Sequence, residues 1–287
     1  MRRDAVLLLG GSGFIGRALA TRLAREKMQV HILGRQQEGQ LEQVLSQCGT
    51  VVHLACSTTP SASAACPSLE LGNLALTLRL LDLLKKQPET HLIFFSSGGT
   101  VYGNPRTLPV TEDSLLVPLS NHGASKVAQE AFCNALRAAG HPVTVLRPSN
   151  AYGPGQVMKS GFGLVRTMLE HIRAGTPLEI WGDGENVRDF IYIDDVVDAT
   201  MGLINLPQDS STYNLGNGVG FSVNQVRSMV EAQCGNALHT ICWPARDVDV
   251  RSVVLDSSRL ETKLGWRPAV GLADGIARTW NWLNTHG

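Results

Sequence analysis

Ala5-Val6-Leu7-Leu8-Leu9-Gly10-Gly11-Ser12-Gly13-Phe14-Ile15-Gly16 is the stretch on which the fold turns. Five apolar residues end in a glycine cluster. A helical pattern then begins, with Ala18, Leu19, Leu23 and Ala24 on one face. That order predicts a buried strand, a tight turn and a helix N-terminus. Gly11, Gly13 and Gly16 fit G-x-G-x-x-G, and Gly10, Gly13 and Gly16 fit G-x-x-G-x-x-G. Without side chains at these points, the backbone can turn sharply and approach a pyrophosphate. The free N–H groups and the dipole at the helix start then stabilise its negative charge. The motif alone is weak, but the strand before it and the helix after it supply the context of a dinucleotide site. Gly10, Gly13, Phe14, Ile15 and Gly16 are the candidate cofactor contacts in this stretch.

Downstream, apolar runs and helical patterns alternate. Strands are expected at 29–33, 50–56, 91–96 and 143–147, with the first helix running to about Lys27 and further helices at 41–47, 73–86 and 124–139. Strands alternating with helices imply a parallel, doubly wound sheet with right-handed crossovers. Ligands on such sheets sit at the carboxyl ends of the strands, which adds Leu54 and Ala55 to the candidate cofactor contacts. The segment 57–68 is rich in Ser, Ala and Pro and is expected to be a loop. The 73–86 helix is apolar on more than one face, as a helix packed between a sheet and a partner would be. After Tyr152 the pattern breaks up, with helices expected at 163–174, 194–206, 222–233 and 272–283. The expected division is a dinucleotide-binding domain over 1–150 and a smaller, partly interleaved domain over 151–287. A second ligand would sit between them.

The 287 residues suffice for one large α/β domain with an appendage. Formal net charge is zero, so no basic surface argues for nucleic acid or membrane binding. No apolar run approaches the roughly 20 residues that span a bilayer. Met1-Arg2-Arg3 ahead of an apolar run faintly resembles a leader, but the run passes straight into the glycine turn and is taken as the first strand. The six cysteines form no C-x-x-C pair and no metal-ligand spacing, so free thiols in a reducing cytoplasm are expected, with no metal. Asp194-Asp195 lacks further clustered ligands and is taken as a favourably charged helix start. His31, His53 and His91 lie in or beside strands and are taken as packing or edge residues.

Further motifs accumulate along the chain. Ser96-Ser97-Gly98-Gly99-Thr100-Val101-Tyr102-Gly103 follows a strand, and Gly123-Ala124-Ser125-Lys126 opens a helix. Arg147-Pro148-Ser149-Asn150-Ala151-Tyr152-Gly153-Pro154 follows the next strand. Then come Trp181-Gly182-Asp183-Gly184, Arg188-Asp189-Phe190-Ile191, Pro244-Ala245-Arg246-Asp247-Val248-Asp249 and Leu264-Gly265-Trp266-Arg267-Pro268. In this order the chain resembles the extended short-chain dehydrogenase/reductase family, in its nucleotide-sugar epimerase/dehydratase branch. The resemblance implies an α/β fold, a Rossmann-type doubly wound parallel sheet with a smaller α+β C-terminal substrate domain. It also implies bound NAD or NADP, a nucleoside-diphosphate sugar, and a homodimer through the helices at 73–86 and 124–139.

In that family a tyrosinate takes a sugar hydroxyl proton while hydride passes to the nicotinamide. A lysine four residues on binds the nicotinamide ribose and lowers the tyrosine pKa, and a Ser or Thr holds the hydroxyl. This chain departs from the pattern. His122 stands at the tyrosine position, with Lys126 kept one helical turn away. The usual Ser/Thr position falls on Gly98, leaving Ser97 or Thr100 to substitute. His122 is a working base, since imidazole titrates in the right range; or catalysis is lost and the protein only binds; or the change from tyrosine was introduced artificially. On the cofactor side, Arg35 follows the second strand where an acidic residue would favour NAD. An arginine there could pair with a 2′-phosphate. NAD is expected, with NADP the alternative.

Asn150, Arg188, Arg246 and Asp249 match family positions around the nucleoside diphosphate, where arginine forks suit phosphate oxygens. The bland alternative pairs Arg188 with Asp189 and Arg246 with Asp247 on the surface. The expected activity is epimerisation of a UDP-hexose-type substrate. A non-catalytic nucleotide-sugar-binding protein, a reductase and a dehydratase are the alternatives.

Overall fold

The computed structural model describes residues 4–158, 162–246 and 249–286. Strand β1 (Ala5–Leu9) leads through the glycine turn into α1 (Phe14–Arg25), followed by β2 (Val30–Leu33), α2 (Leu41–Leu45) and β3 (Cys48–His53). Helices α3 (Pro60–Ala65) and α4 (Glu70–Leu84) precede β4 (His91–Phe95). A one-turn helix, α5 (Gly98–Val101), and the long α6 (Asn121–Ala138) precede β5 (Val143–Pro148) and β6 (Asn150–Tyr152). The second half runs α7 (Leu164–Ala174), β7 (Leu178–Trp181), β8 (Val187–Tyr192), α8 (Ile193–Ile204), β9 (Thr212–Leu215), β10 (Gly220–Ser222) and α9 (Val223–Cys234). It ends with β11 (Thr240–Trp243), β12 (Ser252–Val253), α10 (Ser258–Leu264) and α11 (Leu272–His286).

Six strands form one sheet in the order β2-β1-β3-β4-β5-β9, every neighbouring pair parallel. Its two faces follow from the period of two along a strand. In β1, Ala5, Leu7 and Leu9 enter the core shared with Leu41, Leu80, Leu84 and Leu136. Val6 and Leu8 enter the opposite core, with Leu19, Leu23, Val196, Leu203 and Leu260. Helices therefore cover both faces, the arrangement that lets a parallel sheet be apolar throughout. The last strand, β9, comes from the second half of the chain. The remaining strands form a smaller sheet, β10-β8-β12 with β6 paired to β8, and the parallel pair β11-β7.

The segment 57–68 corrects the expectation of a loop. Thr59 Oγ1 accepts a hydrogen bond from the Ala62 N–H at 3.2 Å, Pro60 occupies the first helical position, and α3 follows. A capping threonine and an N1 proline start a helix even where small residues carry no apolar period.

Candidate functional site

The glycine turn explains its own composition. Gly10 has φ +87°, and a Cβ there would lie 2.5 Å from the Ala55 amide nitrogen. A Cβ on Gly16 would lie 2.5 Å from Gly11 Cα. The turn therefore brings β1, β3 and the start of α1 into backbone contact. Gly13 caps α1 without a side chain. The amides of Phe14 and Ile15, at the first turn, have no carbonyl one turn back to bond. Both residues line a cavity of about 710 Å³ at the sheet's carboxyl edge. A bare, positively polarised helix end facing a cavity that no Cβ fills suits a dinucleotide pyrophosphate.

A second cavity, of about 380 Å³, shares Gly10, Gly13, Phe14, Leu54 and Cys56 with the first and continues past Ala55 to Leu33, Gly34 and Glu38. Arg35 opens a 3₁₀ turn here, residues 35–40, but its side chain lies outside the described residues. The carboxylate that lines this end is Glu38, three residues further on. The sequence reading missed it because the 3₁₀ turn, not the strand, carries it round.

Every other candidate residue meets in the larger cavity: Ser97, Thr100, His122, Lys126, Asn150, Arg188, Arg246 and Asp249. His122 lies in the first turn of α6, 9 % exposed, and Lys126 one turn on, 6 % exposed. The Lys126 ammonium donates to the Phe95 carbonyl at 2.8 Å and stands 5.0 Å from the Phe94 ring centroid. His122 Nδ1 is 3.3 Å from Thr58 Oγ1 and 3.6 Å from Glu70 Oε1. Thr100 keeps a buried hydroxyl without a hydrogen-bond partner among the described residues. Gly98 has a packing reason to be glycine: its Cβ would lie 2.5 Å from Leu255 Cδ1 and 2.9 Å from the Arg147 carbonyl. A serine there would have to displace the Leu255 side chain.

On the facing wall Arg246 pairs bidentately with Asp249, at 2.9 and 3.0 Å, and stacks over Trp181 at 5.0 Å. Trp181 itself stacks on Trp243. Arg188 donates to the Val187 carbonyl at 2.9 Å. Burial lowers its pKa while the charge of Asp249 raises it. Asp189 is not its partner: that carboxylate accepts the amides of Asn217, Gly218 and Leu255. Asp247 lies outside the described residues. Two guanidinium groups thus flank one carboxylate on a cavity wall, an arrangement that can rearrange around phosphate oxygens. Asn150 donates to the Asp189 carbonyl at 3.0 Å and lines the same wall.

His53, His91, Tyr102 and Tyr152 have structural partners. His53 bonds Thr77 and is pushed down to about 3, chiefly by burial. His91 bonds Thr144, and burial takes it to about 4. Burial raises both Tyr102, to about 12, and Tyr152, so neither phenol is poised to act as a base near neutrality. Asp195 accepts the amides of Ala269 and Val270, and no group of three metal-ligating residues forms among the described residues.

Cys56 is the neighbour that the sequence reading passed over. It lines both cavities. Burial raises its thiol pKa, but the neighbouring His122 and the positive charge of Lys126 more than offset this, bringing it down to about 6. At pH 7 such a thiol is mostly thiolate, the nucleophilic form. Alkylation by iodoacetamide, followed at Cys56 by peptide mass spectrometry, is expected to show a rate midpoint near pH 6. His122→Ala should move that midpoint up by about a unit or more.

A sequence model described as the NAD dependent epimerase/dehydratase family matches residues 6–216. The chain belongs to that family. The UDP-glucose 4-epimerase of Mycolicibacterium smegmatis is 33 % identical over 231 residues, covering 80 % of this chain and 74 % of its own. Among solved structures, the UDP-glucose 4-epimerase of Thermotoga maritima, determined with UDP-glucose, superposes with a TM-score of 0.91 at 30 % identity over 98 % of this chain and 99 % of its own. That of Thermus thermophilus, determined with NAD, superposes with a TM-score of 0.91 at 27 % identity, covering 99 % and 100 %. Within the NAD dependent epimerase/dehydratase family, then, this chain has the expected parallel sheet and glycine turn.

Proposed function

We propose that this chain is an NAD-dependent epimerase of a UDP-hexose, with His122 as the proton acceptor in place of tyrosine. The observation that carries the reading is the shared cavity. His122 and Lys126 form part of its floor, between the glycine turn on one side and the Arg188–Arg246 wall on the other. NAD, when bound, supplies the hydride acceptor and donor. The amides of Phe14 and Ile15 hold its pyrophosphate, and Leu54, Ala55 and Glu38 line its adenosine end. The Glu38 carboxylate disfavours a 2′-phosphate, which supports NAD over NADP. Lys126 binds the nicotinamide ribose and keeps a positive charge near the reacting hydroxyl. Ser97 and Thr100 orient that hydroxyl. Arg188 and Arg246 clamp the diphosphate, with Asn150 and Asp249 beside them, and Trp181 offers an aromatic face to the nucleobase.

The surroundings fit this reading. Leu71 of α4 is 66 % exposed and Phe132 of α6 is 41 % exposed, apolar surface that supports a homodimer through these two helices. Cys66 and Cys242 are exposed free thiols, which suits a reducing compartment such as the cytoplasm.

The test is NMR of a UDP-sugar panel incubated with NAD and the native protein and, in parallel, with His122→Tyr. The expected result is conversion of at least one UDP-hexose to its 4-epimer by the native protein. Turnover only by His122→Tyr would make the native chain a nucleotide-sugar-binding protein on an epimerase scaffold. Turnover by neither would remove the UDP-hexose assignment.

A further inference from the structure

Glu70 belongs to no motif, yet it is 6 % exposed and aimed at the residue that replaces tyrosine. The neighbouring hydrogen bonds settle which way each proton points. Asn73 Oδ1 accepts from the Ser57 amide at 2.8 Å, which fixes the orientation of the Asn73 side-chain amide, because a backbone N–H can only donate. Its Nδ2 therefore donates, to Glu70 Oε2 at 2.7 Å and to Thr58 Oγ1 at 3.0 Å. Glu70 Oε1 is a buried carboxylate oxygen with no hydrogen-bond partner among the described residues, and Thr58 Oγ1 accepts from Asn73. His122 Nδ1 faces that oxygen at 3.3 Å and Glu70 Oε1 at 3.6 Å. A carboxylate oxygen can only accept, and this one has no other donor among the described residues. A ring nitrogen facing it carries the proton.

We propose that Glu70 is the positioning residue of this site: it holds His122 as the Nδ1–H tautomer and so leaves Nε2 unprotonated toward the cavity. The inference rests on His122 being the base. The substrate O–H bond breaks with its proton passing to Nε2, and NAD, when bound, would supply the acceptor for the hydride of the neighbouring C–H bond and its donor on return. The imidazolium formed in between has a carboxylate beside it, as a tyrosinate would not need. The charged and titratable groups facing His122 are Glu70 from α4, Cys56 from the loop after β3 and Lys126 from its own helix. Glu70 lines neither cavity. Burial works against its charge, but the Asn73 hydrogen bond and the hydroxyls of Thr58, Ser63 and Ser125 around it outweigh that, and the carboxyl lies below its ordinary range.

The test is ¹⁵N NMR of protein labelled at the histidine imidazole nitrogens, with the His122 signals assigned by their loss in His122→Asn. No cofactor or substrate is needed. In the native protein Nδ1 should be pyrrole-like and Nε2 pyridine-like; in Glu70→Gln the preference should weaken toward a mixture. In turnover, Glu70→Gln should lower kcat by about 10²-fold with KM changed less than about threefold, and Glu70→Asp should recover part of the loss. A protonated Nε2 in the native protein overturns the proposal. So does an unchanged tautomer and kcat in Glu70→Gln. If no sugar is turned over by any form, the epimerase reading falls, while the native tautomer still decides whether Glu70 sets the imidazole.

Discussion

Arg147→Met is expected to lower the stability of the chain by about 3–5 kcal/mol, a fall in Tm on the order of 10 °C measurable by thermal unfolding. Arg147 is 5 % exposed at the end of β5. Its guanidinium donates to both oxygens of Glu130, which is 2 % exposed, with the shortest contact at 2.6 Å. It also donates to the Tyr102 hydroxyl at 2.8 Å and to the Glu112 carbonyl at 3.0 Å. Methionine fills much of the volume and supplies none of these donors. Glu130 would keep the Ser96 hydroxyl and lose its counter-charge in a place that water does not reach. An uncompensated buried charge is the expensive outcome; removing both partners is not. The double variant Arg147→Met/Glu130→Leu should therefore recover most of the loss. If the single and double variants are equally unstable, packing and not charge accounts for the effect. The same network braces Ser96, Tyr102 and Asn214 behind the cavity, so activity should fall in the single variant even well below its Tm.

The second large effect is expected from Lys126→Met: a loss of turnover of about 10²-fold or more with the fold intact. The side chain is 6 % exposed and packs over Phe94, which methionine can also do. What goes is a fixed positive charge in the cavity floor. The loss has a second, independent signature. Lys126 is one of the groups that bring the Cys56 thiol down to about 6, so in Lys126→Met the alkylation midpoint at Cys56 should rise. The sign is that of a cation removed from beside an anion: the thiolate loses a stabilising neighbour and forms at higher pH. A variant that loses activity without moving that midpoint would point to Lys126 acting only on ligands and not on the charge of the site.

Much of this was legible in the chain as written. The Ala5–Gly16 stretch, the alternating strands and helices, and the spacing of His122 and Lys126 are local signals, with both ends of each pattern inside a few turns. Candidate residues as far apart as Gly10, Asn150 and Arg246 were placed by motif and do meet in one cavity. The misses have a common cause. Glu70, Thr58 and Cys56 gain their meaning from His122, which lies on another element more than fifty residues away. No periodicity relates them. Gly98 appeared as a lost hydroxyl, whereas Leu255, far along the chain, occupies the space that a side chain would need. The helix at Pro60–Ala65 was hidden by its small residues, although Thr59 and Pro60 announced it.

The late arrival of β9 sets a timetable for synthesis. Strand β5 ends at Pro148, and the strand that covers its open side begins at Thr212. At about 5–20 residues per second on the ribosome, roughly 3–13 seconds separate the emergence of the two. During that interval the Val143–Pro148 edge, bearing Val143, Val145 and Leu146, has unpaired amides and carbonyls and nothing of its own to bond them to. The nascent chain thus carries a sticky margin through the middle of translation, and expression yield should depend on chaperone supply and on the pace of the codons between those two strands.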